Sequence, residues 1–331
     1  MSGAMRSAAA PVDVRSEVLA ACERIRGFVR ETPLEHSVHL SLPEGPEVHL
    51  KLENTQLTGS FKVRGAFNKL LSMSDEERAK GVVTASSGNH GAAMAFAMAK
   101  TGTEGMIFLP KDAVESKVET IRSLGADIRY HGTDCGITEA FARRFAHEEG
   151  MVYVSPYNDP KVIGGQGTIA AEIVRQLDGV DSVFVSVGGG GLISGIAGFL
   201  KSVDAGIETV GCLPENSPVM AESVKAGRLL DMGWTPTISD ATAGLIEEGA
   251  VTFDLCTRYV DGFELVSESE ISEAMRLIIS KHHMLVEGAA GVSVASLLKR
   301  RGSLEGKKVV VVLCGANIGM ETLRSVICGP E

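Results

Sequence analysis

Lys62 stands in Ser60-Phe61-Lys62-Val63-Arg64-Gly65, wedged beside an aromatic and a small hydroxyl residue in a turn-like segment. A lysine attacks a carbonyl carbon only as the neutral amine, and its ordinary pKa is about 10.4. Burial or a nearby positive charge must lower that value, and Arg64 is placed in sequence to help. Three other segments carry polar groups with a chemical use. They are Ser86-Ser87-Gly88-Asn89-His90-Gly91, Gly188-Gly189-Gly190-Gly191, and Cys314-Gly315-Ala316-Asn317.

Each of the three comes after an apolar run that reads as a buried strand. These are Val82 to Ala85, Val183 to Val187, and Val309 to Leu313. Ligands of parallel sheets bind at the carboxyl ends of strands, so the three motifs are expected to share one edge. Gly188 to Gly191 lets the backbone come close to a ligand, and the helix expected from Leu192 aims free N–H groups at the same spot. That is an anion site suited to a phosphate. A dinucleotide fingerprint does not match, since the spacing is Gly189-x-Gly191-x-x-x-Gly195. Gly164-Gly165-Gln166-Gly167-Thr168 lacks the lysine of a nucleoside triphosphate loop. An amine, a phosphate cradle, polar groups for a ring and a partner for a ring nitrogen are the parts of a pyridoxal phosphate site.

The bulk numbers set limits. The 331 residues suffice for two domains. Hydrophobic residues make up 44% and charged residues 22%, the balance of a soluble enzyme. Lys and Arg total 32 against 42 Asp and Glu, a net charge of -10, so nucleic acid and anionic membranes are not expected partners. The cysteines are scattered without a CxxC pair, which points to a reducing cytoplasm. No signal peptide or membrane span is visible. The histidines lack metal-ligand spacing.

Apolar spacing predicts a helix over 14–30, and Met1 to Pro11 reads as a disordered tail. From Val48 onward strands and helices alternate, which predicts parallel sheets flanked by helices. Helices are expected over 167–177, 192–203 and 216–227, and a capping box at Ser267 to Glu270 opens one running to Lys281. Pro156-Tyr157-Asn158-Asp159-Pro160 is the clearest turn.

The four motifs, in this order and over nearly the whole chain, resemble the serine/threonine dehydratase and serine racemase family, tryptophan-synthase-β-like (fold-type-II) pyridoxal phosphate enzymes. The resemblance implies an α/β fold of two open, mostly parallel sheets. It implies a large cofactor-binding domain (1–81 and 155–331), a small mobile domain (82–154), and the cofactor between them. It also implies roles. Lys62 would form the Schiff base and, with Ser87, move protons. Phe61, Asn89, Gly188, Gly189, Gly190, Gly191, Leu192, Gly244, Glu287 and Cys314 would contact the cofactor. Ser86, Ser87, Gly88, Asn89 and His90 would receive the amino-acid substrate.

Cys314 matches the position that meets the pyridine nitrogen. A thiol is a weak partner there, which favours proton loss coupled to departure of a β-leaving group. The activity implied is a dehydratase (ammonia-lyase) converting a β-hydroxy amino acid such as L-threonine or L-serine to a 2-oxo acid and ammonia. A racemase and a binding protein without turnover are the alternatives. Leu213 and Val219 occupy the positions expected to be acidic in a divalent-cation site. A monovalent or divalent cation is therefore a weakly supported extra, with Glu215 its one candidate. A cytoplasmic homodimer or higher homo-oligomer is implied.

Overall fold

The computed structural model describes residues 12–233 and 235–329; the segment read as a tail lies outside them, apart from its neighbour Val12. The chain runs through α1 (Val14–Arg24), β1 (Leu34–His36), β2 (Glu47–Lys51), α2 (Lys62–Ser72), α3 (Asp75–Lys80) and β3 (Val82–Ala85). Next come α4 (Asn89–Thr101), β4 (Gly105–Leu109), α5 (Glu115–Ser123), β5 (Asp127–Tyr130), α6 (Cys135–Glu148) and β6 (Val152–Tyr153). After these are α7 (Pro160–Gln176), β7 (Ser182–Ser186), α8 (Gly191–Val203), β8 (Glu208–Pro214) and α9 (Val219–Ala226). The chain closes with α10 (Val251–Tyr259), β9 (Gly262–Val266), α11 (Glu268–Leu277), α12 (Gly288–Arg300), β10 (Lys308–Val312) and α13 (Met320–Cys328).

Two open sheets result. One has the order β1-β2-β10-β7-β8-β9, and the other β5-β4-β3-β6. Every pairing is parallel except β1 with β2. The inner strands β7 and β10 are apolar over 183–185 and 309–312 and buried there, as strands covered on both faces must be.

Alternation sorts the smaller sheet into two faces. Val82, Ile107 and Leu109 join α4 and α5 in one apolar cluster, which also takes in Val63, Phe67 and Leu70 of α2. Val83, Ala85 and Phe108 join Ala142 and Ala146 of α6 in another. The larger core gathers β2, β7, β8 and β10 with α8 and α12.

Some element ends differ from expectation. The first helix stops at Arg24 rather than Arg30, because Gly27 turns the chain at φ 82°. The helix expected over 216–227 begins at Val219, after Pro218. The capping box at α11 is formed as read, with the Glu270 carboxylate accepting from the Ser267 N–H at 2.7 Å. Its helix ends at Leu277 and a π-helical turn continues to His282. Among the described residues, no helix is long and apolar enough to cross a membrane.

Candidate active site

The three polar motifs stand at the carboxyl ends of β3, β7 and β10, as expected, but not on one edge, since β3 belongs to the smaller sheet and β7 and β10 to the larger. Lys62 begins α2 and is joined to the end of β10 by backbone pairing. The Phe61 N–H donates to the Cys314 carbonyl at 3.1 Å, and the Ala316 N–H to the Gly59 carbonyl at 2.9 Å. Ser60 and Gly315 form an antiparallel bridge. Thr58 and Gly59 both take positive φ, 61° and 72°, to bring the loop round. The Lys62 amine lies 5.3 Å from the centre of the Phe61 ring and donates to the Pro156 carbonyl at 2.9 Å.

Burial pushes the Lys62 ammonium down to about 8, against the pull of Glu139 and Glu287. Arg64 takes no part in this, contrary to the sequence reading. Its guanidinium is fully buried and turned away, bonded to Glu53 at 2.8 and 2.7 Å and to Glu172 at 2.6 and 2.9 Å. Lys51 completes that network by donating to Glu172 and to the Thr32 carbonyl at 2.7 Å. The carboxylates neutralise Arg64, so its field does not reach the amine unscreened.

Asn89 opens α4, whose N-cap is Gly88 with no side-chain capping bond. The serines and Asn89 are therefore not spent on capping, the ordinary structural use of such residues. The Asn89 amide donates instead to both oxygens of Glu287 at 3.0 Å, and its oxygen accepts from the Asn317 amide at 2.7 Å. Glu287 is 2% exposed and also accepts from the Asn317 N–H at 3.1 Å. Burial pushes its carboxyl up to about 7, against those bonds. Cys314 is 1% exposed, its thiol raised by burial and then by Glu287, and the Ser186 hydroxyl donates to it at 3.3 Å. A Cβ on Gly315 would stand 2.7 Å from a Glu287 oxygen, so a larger residue there would push the carboxylate off its Asn89 and Asn317 donors.

Ser86, Ser87 and Gly88 are half-buried beside this group, with the Gly88 N–H on the Ser86 hydroxyl at 3.2 Å. His90 is buried, and burial together with the Lys62 charge pushes it down to about 3, so it is neutral. Its Nδ1 has no partner.

The glycine run is closed in by side chains that the sequence did not connect to it. A Cβ on Gly189 would lie 2.5 Å from the Tyr157 ring, and one on Gly188 would lie 3.0 Å from Thr242 Cα. Gly190 is left-handed at φ 87° and caps α8. That helix starts at Gly191, and its first N–H groups lack carbonyl partners within the helix. Leu192 offers only its backbone, since its side chain belongs to the large core. Gly244, at φ 127°, lies in the loop after Thr242, where its N–H donates to the Ser217 hydroxyl.

Glu215 pairs with Lys299 at 3.9 Å, while Leu213 and Val219 are buried apolar residues. Among the described residues, no group of three His, Cys, Asp or Glu side chains could hold a metal.

Residues 25–315 match the family model described as pyridoxal-phosphate dependent enzyme. The chain belongs to this family of enzymes, with the tryptophan-synthase-β-like fold. It is 39% identical over 311 residues to the L-threonine ammonia-lyase of Thermotoga maritima, covering 94% of this chain and 77% of that one. Maize serine racemase superposes with a TM-score of 0.88 at 30% identity, covering 95% of this chain and 96% of that one. The processed form of threonine deaminase isoform 2 from Solanum lycopersicum gives a TM-score of 0.88 at 30% identity, covering 96% and 94%.

The residues present fit pyridoxal phosphate. A half-buried amine with lowered basicity stands beside the strand ends, glycines and a helix start leave N–H groups for a phosphate, and a buried thiol follows the central strand.

Proposed function

We infer that this protein is a pyridoxal-phosphate-dependent ammonia-lyase of β-hydroxy amino acids, of which L-threonine and L-serine are the simplest. The observation that carries it is Lys62 at the strand end of Cys314, a lysine eased toward neutrality opposite a thiol rather than a carboxylate. The names of the L-threonine ammonia-lyase and the threonine deaminase point the same way, and that of the maize serine racemase points to the alternative.

When bound, the cofactor draws electrons from Cα. The chain's own groups then set the course of the reaction. The N–H groups at the start of α4, with Ser86, Ser87, Gly88 and Asn89, receive the substrate carboxylate. His90, neutral and buried behind them, adds no charge of its own. Gly188 to Gly191 and the first turn of α8 would receive the phosphate. Phe61 would flank the ring, Asn89 and Glu287 would reach its hydroxyl side, and Gly244 would lie in the enclosing loop. Cys314 would face the ring nitrogen and, as a neutral thiol, would bring no negative charge there.

Lys62 Nζ would take the Cα proton and return a proton to the departing β-hydroxyl, so that the net loss is one water. Loss of water across Cα–Cβ leaves an enamine, which takes water back and yields a 2-oxo acid and ammonia. Ser87 stands as proton donor for the opposite face, the step a racemase would need.

Residues 82–154 form the smaller, mobile domain in this reading, and 1–81 with 155–331 the larger one. Two ion pairs cross from one to the other: Lys117 with Asp240 at 2.6 Å, and Arg143 with Glu247. Their closure excludes water from the reacting atoms. A cytoplasmic homodimer fits the composition and the family.

The test is incubation of the loaded enzyme with L-serine, L-threonine, 3-hydroxyaspartate and 3-phenylserine, with assay of 2-oxo acid and of enantiomer. Stoichiometric 2-oxo acid and ammonia from at least one of them supports the reading. Racemised amino acid alone sinks it.

A further inference from the structure

Near Lys62, on α6, β6 and the loop at Glu247, stand charged and phenolic groups that the reaction above does not use. Glu139 and Arg143 lie one turn apart on α6 and therefore on one face. The Arg143 guanidinium stacks 4.4 Å above the Tyr153 ring and binds one oxygen of Glu247. The Glu247 N–H donates to the Tyr157 hydroxyl at 3.0 Å, and the Tyr157 ring packs against Gly189. The group therefore joins the phosphate cradle on one side. On the other it adjoins Lys62, whose amine sits on the carbonyl of Pro156, the residue before Tyr157.

Two polar atoms in this group are buried without any partner, the second oxygen of Glu247 and the hydroxyl of Tyr153. A buried carboxylate oxygen with no donor is costly, and a binding site is where such a cost is recovered. Both orphaned atoms can accept a hydrogen bond, and the carboxylate can only accept. Glu139 adds a second carboxyl, pushed up to about 7 by burial and then by Glu247, with Arg143 and Lys62 opposing. A cation placed among these groups would find two carboxyls and one guanidinium. An anion would meet both carboxyls.

We propose that Glu139, Tyr153 and Glu247 form a subsite for the substrate side chain, and that it selects a β-hydroxy amino acid whose side chain ends in an ammonium group. The proposal rests on the ammonia-lyase reading and narrows its substrate class. Tyr153 and the free oxygen of Glu247 accept from the ammonium. Glu139, which an ammonium beside it would hold ionised, supplies the balancing negative charge. Arg143 is a positioning residue that holds Glu247 in place from α6.

The test uses the loaded enzyme and four substrates of similar length: 2,4-diamino-3-hydroxybutanoate, 3-hydroxynorvaline, 3-hydroxyasparagine and 3-hydroxyaspartate. Production of 2-oxo acid from any of them, or from serine, tests the ammonia-lyase reading alone. Their rank order tests the subsite. The expected kcat/KM for the ammonium substrate exceeds that for the alkyl one by tenfold or more, with the acidic one last. Glu247→Gln and Glu139→Gln should each reduce that ratio severalfold.

A second readout does not depend on turnover or on the variants folding. L-2,4-diaminobutyrate, which has no β-hydroxyl, should raise the Tm of the wild-type enzyme more than L-norvaline or L-aspartate does. Equal or better use of the alkyl, amide or acidic substrate, with no preference for diaminobutyrate in the Tm series, would overturn the subsite while leaving the ammonia-lyase reading intact.

Discussion

The Phe61 N–H donates to the Cys314 carbonyl at 3.1 Å, so the lysine next in the chain after Phe61 is placed by the end of the central strand itself. The two lie at opposite ends of the sequence. The antiparallel bridge at Ser60 and Gly315 and the positive φ at Thr58 and Gly59 make the junction specific. A group held by a strand end is positioned more narrowly than one held by a free loop.

Removing the amine should abolish the chemistry without abolishing the fold. Lys62→Ala is expected to lower kcat by at least about a hundredfold, the scale of a positioned acid–base group. The visible absorbance of the loaded protein should disappear with it, and far-ultraviolet circular dichroism should stay the same. An unchanged absorbance would show that another lysine carries the cofactor.

Glycine at 189 is a steric requirement, since a Cβ there would meet the Tyr157 ring at 2.5 Å. Overpacking of this kind costs about 1–3 kcal/mol. Gly189→Ala should weaken cofactor affinity about tenfold or more in a fluorescence titration of the apoprotein. The double variant with Tyr157→Ala should recover part of the loss.

Glu287 links stability to pH. Its folded-state value is about 7, above the ordinary carboxylate value of 4.5. Between those values the folded state holds a proton that the unfolded state has lost. Its contribution to stability is therefore present below pH 4.5, falls as pH rises, and is gone above about 7. In the apoprotein, Glu287→Gln should flatten the decline of Tm across that window. A parallel decline in wild type and variant would assign the effect elsewhere.

Arg64 is buried between two carboxylates, and truncating one member of such a network costs about 3–5 kcal/mol. Arg64→Ala should lower the urea midpoint accordingly. A change below about 1 kcal/mol would mean that water or Lys51 replaces it.

Sequence range separates the legible features from the rest. The strands, the glycine run after β7 and the place of each motif at a strand end can be read from local pattern, because apolar runs leading into Gly and Asn are short-range signals; that β3 belongs to a separate sheet cannot. The fate of Arg64 cannot. Proximity to Lys62 in sequence suggests electrostatic help, but residues 64 and 62 point apart at the start of a helix, and Glu53 and Glu172 claim the guanidinium. Tyr157 reads as part of a turn; its contact with Gly189 is tertiary. Glu139 and Arg143 come from α6 and Glu247 from a distant loop, so they carry no joint pattern. Glu287 is visible as a position, and its bonds to Asn89 only in three dimensions.

The most direct measurement is proton NMR of L-serine and the loaded enzyme in deuterium oxide, with chiral analysis of the remaining serine. If Lys62 removes the Cα proton as the hydroxyl departs opposite Cys314, 2-oxo acid and ammonium appear in equal amounts. The residual serine then keeps its Cα proton and its L configuration. Accumulation of D-serine, or of α-deuterated serine without 2-oxo acid, would contradict it.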